Sequence, residues 1–271
     1  VAAAMARDGA VRLAGLFPLP LLRRLRRETL RRHESGELRR EGLVRDVAGR
    51  YAAVLPFSGP FLDPRFYAAP RLHAMLAALL GDDYCIGSLE AVVAEPGALA
   101  QPQHIDGPLR LERRVGRVRR PYARDLSDLP PYAVTLAVPL QDVTEENGPT
   151  AVWRGSHKAA LRPKPPGARE VARRWPVESL TGPLGFTYFF DYRVFHGGMP
   201  NHSREARIVL MFVFTRSWFR DPNQNEVHPS VVIAPKDLAR VGPKSRPLFM
   251  LAPAARRRLW PALSARGGRS R

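Results

Sequence analysis

Phe195-His196-Gly197-Gly198-Met199-Pro200-Asn201-His202-Ser203, followed by Arg207 and the run Ile208-Val209-Leu210-Met211-Phe212-Val213-Phe214, is the stretch whose reading decides the fold. It reads as strand, turn, strand. Two glycines, Pro200 and Asn201 supply the turn. The run after Arg207 is apolar at every position, which predicts a strand covered on both faces. Pairing of the two strands would return Arg207 close to His196. A buried Arg at a strand start needs an anionic partner, because an unpaired internal charge is very costly. A small dicarboxylate would serve, since a guanidinium makes two parallel hydrogen bonds to one carboxylate.

Outward from this hairpin, residues 85–94, 132–143, 150–153, 184–190, 193–196 and 206–214 are short, rich in Val, Phe, Tyr or Thr, and bounded by Gly, Pro or Asn. They predict strands. Upstream, Leu21, Leu22, Leu25 and Leu30 recur among arginines, so residues 18–50 read as helical. A second helix is predicted over 64–80, with Gly81 as its stop. Helices followed by many short strands imply a mainly β domain, a sandwich or barrel with flanking helices. One domain is expected over residues 1–253, with a basic, partly disordered tail over 254–271.

The chain has 271 residues, 45% of them hydrophobic, enough for a sizeable core. Its formal charge is +18. Nearly all the basic residues are Arg, a pattern that a GC-rich coding sequence writes on any surface, so charge alone assigns no function. One cysteine, Cys85, excludes a disulfide framework and a cysteine-built zinc site. Cys85 is expected to be a buried small hydrophobe. No apolar run approaches the ~20 residues that cross a bilayer. The apolar stretch before Arg23 precedes its charges, the reverse of a secretion signal, so a cytoplasmic setting is expected.

Gln103-His104-Ile105-Asp106 is the second informative motif. On a strand, residues two apart point to one side, so His104 and Asp106 can take neighbouring positions on a metal. Alone, such a pair is more often a structural contact. With His196 it makes two His and one carboxylate, the facial triad of non-haem iron oxygenases. Zinc is the competitor, but it would leave Arg207 without a purpose. His157 reads as a structural hydrogen bonder, and His202 as a solvent-facing or supporting residue. His33, His73 and His228 have no partner at ligand spacing.

These residues resemble the phytanoyl-CoA dioxygenase family over roughly residues 50–250. The resemblance rests on His104-x-Asp106, on Glu146-Asn147-Gly148-Pro149 with Gly155-Ser156-His157-Lys158, and on His196-Gly197-Gly198 with Asn201, Ser203 and Arg207. It implies a double-stranded β-helix, a cupin-like jelly roll with helices outside. It implies Fe(II) held by His104, Asp106 and His196, with 2-oxoglutarate and O2 as co-substrates. Arg207 would bind the distal carboxylate of 2-oxoglutarate, with Ser203 as a second donor and Gln101 as a further contact. Asp106 favours hydroxylation over halogenation, because related halogenases have Gly or Ala there. Desaturation, epoxidation and rearrangement share the same site. Gln103 and Arg154 depart from the family, which has an aromatic residue and Pro at those positions, so they bear on the pocket and the substrate.

Residues 107–130 carry seven arginines against three acidic residues. By resemblance this segment lies over the site mouth, and a loop of this length is often a lid. It is expected to receive an anionic or carrier-bound small molecule through Arg113, Arg117 and Arg120, with Gln103 at the pocket; a solvated Arg-rich loop is the plainer alternative. The rival from another class is a non-catalytic basic jelly-roll binding protein. A nucleic-acid module is not expected, because residues 23–32 lack aromatics among their arginines.

Overall fold

The structure is a computed structural model that describes residues 1–40, 42–44, 47–107, 112–115, 118–121, 130–161, 167–221 and 231–254. The chain opens with α1 (Ala2–Asp8) and β1 (Ala10–Ala14), separated by Gly9, whose φ of 72° ends the helix. Next come α2 (Leu19–Glu34), α3 (Glu37–Arg40), β2 (Gly42–Val44), β3 (Arg50–Val54), α4 (Pro64–Tyr67) and α5 (Pro70–Leu80). Then follow β4 (Tyr84–Ala94), β5 (Glu112–Val115), β6 (Val118–Pro121), β7 (Ala133–Pro139), β8 (Thr150–Trp153), α6 (Ala168–Arg174) and β9 (Val177–Ser179). β10 (Phe186–Asp191), β11 (His196–Gly198), β12 (Arg207–Arg216) and α7 (Pro235–Arg240) complete the order.

Seven strands form an antiparallel sheet in the order β1-β10-β7-β12-β4-β3-β2. A three-stranded sheet runs β11-β8-β9, and β5 pairs with β6 in a separate hairpin. The two larger sheets face each other across Val152 of β8, Val194, Tyr188 and Phe190 of the β10 region, and Val209 of β12. This is the expected jelly roll, with helices outside.

Strand periodicity divides the large sheet into two chemistries. Leu89, Ala91 and Val93 of β4, with Leu210, Phe212 and Phe214 of β12, face outward onto α2 and α5. There they pack with Leu21, Leu22, Leu25, Leu72 and Leu76, all buried. Each such leucine contributes about 1.5–3 kcal/mol by leaving water. The alternate residues, Glu90 and Ala94 of β4, Arg207 of β12 and Thr135 of β7, face the interior between the sheets. β12 lies between β7 and β4, which is why both of its faces had to be apolar.

Four local expectations need correction. The helix expected over 18–50 does not reach its end: Gly42–Val44 is a strand, and Arg50 opens another. Gly49 turns at φ 76° so close to Ala98 that a Cβ there would stand 2.8 Å from its Cα, and β3 then alternates its burial. The helix expected over 64–80 is two, because Pro70 starts a new one at its first turn. Residues 103–106 are not a strand but an extended segment with a single bridge, His104 to His196. Finally, the strands of His196 and Arg207 do not pair: β11 pairs with β8, while β12 pairs with β4 and β7. The turn between them carries the chain from the small sheet to the large one. Asn201 anchors that crossing, donating to Ala94 O at 2.8 Å and Glu205 O at 2.9 Å.

Candidate metal and co-substrate site

His104 and His196 are held face to face by reciprocal backbone bonds, each N–H donating to the other's carbonyl at 2.9 Å. Each ring then fixes its Nδ1 on a carbonyl two residues earlier: His104 on Pro102 O at 2.9 Å, His196 on Val194 O at 3.1 Å. This sets the tautomer and leaves both Nε2 atoms as lone-pair donors. Asp106 is placed by its own backbone, with its N–H and that of Gly107 both donating to Tyr192 O at 3.1 Å. Its Oδ1 lies 3.4 Å from His196 Nε2 and 3.9 Å from His104 Nε2. Thr135 donates to Oδ2 at 3.3 Å.

The three ligand atoms lie within 4.8 Å of one another, and among the described residues this is the one group of His, Cys, Asp and Glu that could hold a metal. Two neutral imidazoles and one carboxylate on a single side fit a divalent iron and leave coordination positions open. Burial raises the Asp106 carboxyl, but His196 and His104 more than offset it and hold it below its usual range. Burial lowers the His196 imidazole, and Asp106 outweighs that and raises it.

Arg207 is 1% exposed, and its Nε and Nη1 have no hydrogen-bond partner. Burial lowers its guanidinium, with Tyr188 opposing. A second buried cation stands beside it. Arg50 of β3 and Arg207 of β12 are both in register with Ala94 of β4, so all three share one row and one face. Arg50 donates through Nε to Leu99 O at 2.6 Å and through Nη2 to Met199 O, and its Nη1 lacks a partner. Burial, then the charge of Arg207, lowers it to about 10. Two buried guanidiniums with unused N–H groups fit an anion such as a carboxylate.

The other predicted positions divide. Gln101 is bound to β11: its N–H donates to Gly198 O at 2.8 Å and its Oε1 accepts from Gly198 N at 3.0 Å. A Cβ on Gly198 would stand 2.4 Å from Arg50 Nη1 and 2.9 Å from Gln101 Oε1, so a side chain there would displace the ends of these two residues. Ser203 has a local task, donating to Asn201 Oδ1 at 2.7 Å inside the turn. Gln103 is half-buried beside His104, with a buried Oε1 that has no partner. Arg113 and Arg120 face each other in register across the β5–β6 hairpin, while Arg117 lies outside the described residues, as do His228 and residues 255–271 of the expected tail. Arg154 ion-pairs with Asp8 at 2.6 Å and Glu178 at 3.2 Å, which ties α1 to the small sheet rather than lining the pocket.

The middle motif is structural. Gly148 has φ 80° and approaches the turn so closely that a Cβ would lie 2.8 Å from Met199 O. Ser156 Oγ accepts from Phe195 N at 2.9 Å, and buried His157 meets Ala6 O at 3.3 Å. Cys85 is buried, as expected. Arg50, Thr135 and Glu90 were not singled out in the sequence. Nothing local marks them; only the register of β3, β4 and β7 brings them to one interior. Burial raises the Glu90 carboxyl to about 7, against a hydrogen bond from Ser88, with Asp106 and Asp221 adding to the rise.

The family model for phytanoyl-CoA dioxygenase matches residues 5–209. The chain belongs to this family. Its members use Fe(II), 2-oxoglutarate and O2. Among curated relatives, L-proline trans-4-hydroxylase of Streptomyces griseoviridis is 30% identical over 115 residues, 32% of this chain and 41% of that protein. The chain thus spans well under half of that relative's length. Solved structures share the fold. The 2-oxoglutarate-dependent epimerase SnoN of nogalamycin biosynthesis has a TM-score of 0.61 at 21% identity, over 81% of this chain and 84% of its own. HygX of Streptomyces hygroscopicus, solved with nickel, 2-oxoglutarate and hygromycin B, has 0.58 at 17%, over 80% and 86%. Among the described residues, no helix is long and apolar enough to cross a membrane.

Proposed function

We propose that this chain is an Fe(II)- and 2-oxoglutarate-dependent oxygenase that hydroxylates an unactivated C–H bond of a small molecule. The observation that carries this reading is the convergence of His104 Nε2, His196 Nε2 and Asp106 within 4.8 Å, in a fold that also buries Arg207 with unused N–H groups. His104, His196 and Asp106 would hold the iron, and Arg207 and Arg50 the distal carboxylate of 2-oxoglutarate. When bound, iron with 2-oxoglutarate and O2 supplies an oxidant for the C–H bond, and succinate and CO2 leave as co-products.

The chain's own residues do the rest. Pro102 O and Val194 O keep both imidazoles in one tautomer. Thr135 orients the free oxygen of Asp106. Buried Val209 and Phe190, whose ring centroid lies 4.7 Å from that of His196, would help to keep water from the reacting carbon. Retention of Asp106 favours hydroxylation over halogenation, because the carboxylate fills the position that a halide would need. The β5–β6 hairpin is our candidate for receiving an anionic part of the substrate, through Arg113, Arg117 and Arg120. The test is aerobic release of succinate from 2-oxoglutarate with added Fe(II). The reading expects release by the wild type and none by His196→Ala; equal release by both overturns it.

A further inference from the structure

α2 buries one face and leaves the other to solvent. Leu21, Leu22 and Leu25 are sealed in the core outside the large sheet. On the opposite side Arg23, Arg26, Arg27, Leu30, Arg31 and Glu34 line a cleft of about 400 Å³. These six fall into two rows at four-residue spacing: Arg23, Arg27 and Arg31 in one, Arg26, Leu30 and Glu34 in the other. The cleft is the groove between two such ridges, the feature into which a second helix packs a ridge of its own. Leu30 is half-buried against the core and gives the groove an apolar centre. Leu19, 44% exposed, stands at the head of the first row.

The charges of this groove are unusual for the surface around it. Nearby arginines meet acids: Arg24 with Asp63, Arg31 with Glu28, Arg39 with Glu95 and Arg65 with Asp63. Arg23, Arg26 and Arg27 make no ion pair or hydrogen bond among the described residues. Arg23 stands three and four residues from Arg26 and Arg27, the spacing at which like charges destabilise a helix. An arginine-rich composition accounts for the number of such residues, not for their convergence around one apolar groove.

The chemistry of the groove selects its occupant. A second copy of this chain is repelled, because each copy carries a formal charge of +18. A bilayer takes up a broad apolar face, and among the described residues of α2 only Leu19 is an exposed large hydrophobic. A nucleic-acid strand is gripped by aromatic residues among the cations, and none lines this groove. A protein helix with carboxylates and leucines at four-residue spacing matches both the shape and the charge.

We propose that this face of α2 docks an acidic amphipathic helix of a partner protein, with its leucines on Leu30 and Leu19 and its carboxylates on Arg23, Arg26 and Arg27. α2 packs on the outward face of the large sheet, whereas His104, Asp106 and His196 gather on its interior side, so a docked helix leaves the metal site uncovered. The proposal is independent of the oxygenase reading.

The test follows fluorescence anisotropy of labelled probes at about 0.15 M salt. The probes are a helical peptide of Ala, Leu and Glu with Leu and Glu at four-residue spacing, a scrambled peptide of the same composition, a mixed-sequence RNA duplex, and vesicles of phosphatidylglycerol and phosphatidylcholine. The wild type should bind the patterned peptide about tenfold more tightly than the scramble. Combining Arg23→Gln, Arg26→Gln and Arg27→Gln should weaken that binding by about tenfold. The same loss of charge on α6, through Arg169→Gln, Arg173→Gln and Arg174→Gln, should change it by less than about twofold. Equal binding of the two peptides overturns the proposal. Equal losses in the two triple variants overturn it too, since net charge would then be the cause. RNA or vesicles held more tightly than the patterned peptide also overturn it, because the groove would then serve a different class of partner.

Discussion

Arg50 and Arg207 flank Ala94 in register on two different strands, and each buried guanidinium keeps at least one N–H without a partner. Two like charges so placed destabilise the empty protein and prepare it for an anion. Replacing one should therefore move stability and binding in opposite directions. Arg207→Met should leave the apoprotein as stable or more stable, by up to about 1–4 kcal/mol, since buried charges are often replaced by apolar residues at no loss. The same change should weaken 2-oxoglutarate binding by about a hundredfold or more, corresponding to about 3 kcal/mol. Thermal melts of the apoprotein and calorimetric titration with 2-oxoglutarate measure both; a loss of stability with unchanged affinity contradicts the assignment.

Gly198 is where Arg50 approaches the backbone of β11. Gly198→Ala should push Arg50 away from Met199 O and Gln101, because the added carbon would stand 2.4 Å from Nη1. The expected result is weaker 2-oxoglutarate binding with metal affinity little changed, since neither imidazole contacts that Cβ. A titration in which iron and 2-oxoglutarate weaken together places the damage in β11 instead.

Asp8 joins α1 to the small sheet through Arg154 and also meets Arg7. The Arg7 hydrogen bond, then Arg154, lowers its carboxyl from 3.8 to about 2. A carboxyl depressed in the folded state stabilises the fold above its unfolded value and loses that contribution as pH falls through its folded value. Asp8→Asn should cost about 1 kcal/mol at neutral pH, discounted because solvent reaches both arginines. The gap between wild type and variant should close between pH 4 and 2. Chemical denaturation across that window checks it; a gap independent of pH would assign the effect to packing.

The hairpin prediction concerns the substrate. Changing Arg113, Arg117 and Arg120 together to Gln should raise KM for a substrate carrying an anion by about tenfold or more, with kcat little changed. An unchanged KM would leave these arginines as a solvated face.

Much of the site was legible because its chemistry is local. His104 and Asp106 stand two apart, and His196 and Arg207 flank one turn, so residue type and spacing were informative. The apolar run after Arg207 announced a central strand, and β12 is one. What stayed hidden depended on pairing. The helix read over 18–50 ran on past α3 because arginines and leucines continue the α2 pattern there, whereas β2 and β3 are strands that gain their place by pairing, β2 with β3 and β3 with β4. β1, five residues of mixed polarity, gains its place from pairing with β10. Arg50 is one basic residue among 43, and only register across Ala94 brings it into the row of Arg207.

The central claim is that His104, Asp106 and His196 hold iron while Arg207 holds 2-oxoglutarate against it. Anaerobic addition of Fe(II) and 2-oxoglutarate tests this most directly, because chelation of the ferrous ion by the keto acid gives a weak visible charge-transfer absorption. The account predicts that the band develops with wild-type protein at one equivalent of iron, disappears in His196→Ala, and needs far more 2-oxoglutarate in Arg207→Met. Wild-type protein that binds iron and shows no band, or a band that survives in His196→Ala, contradicts it.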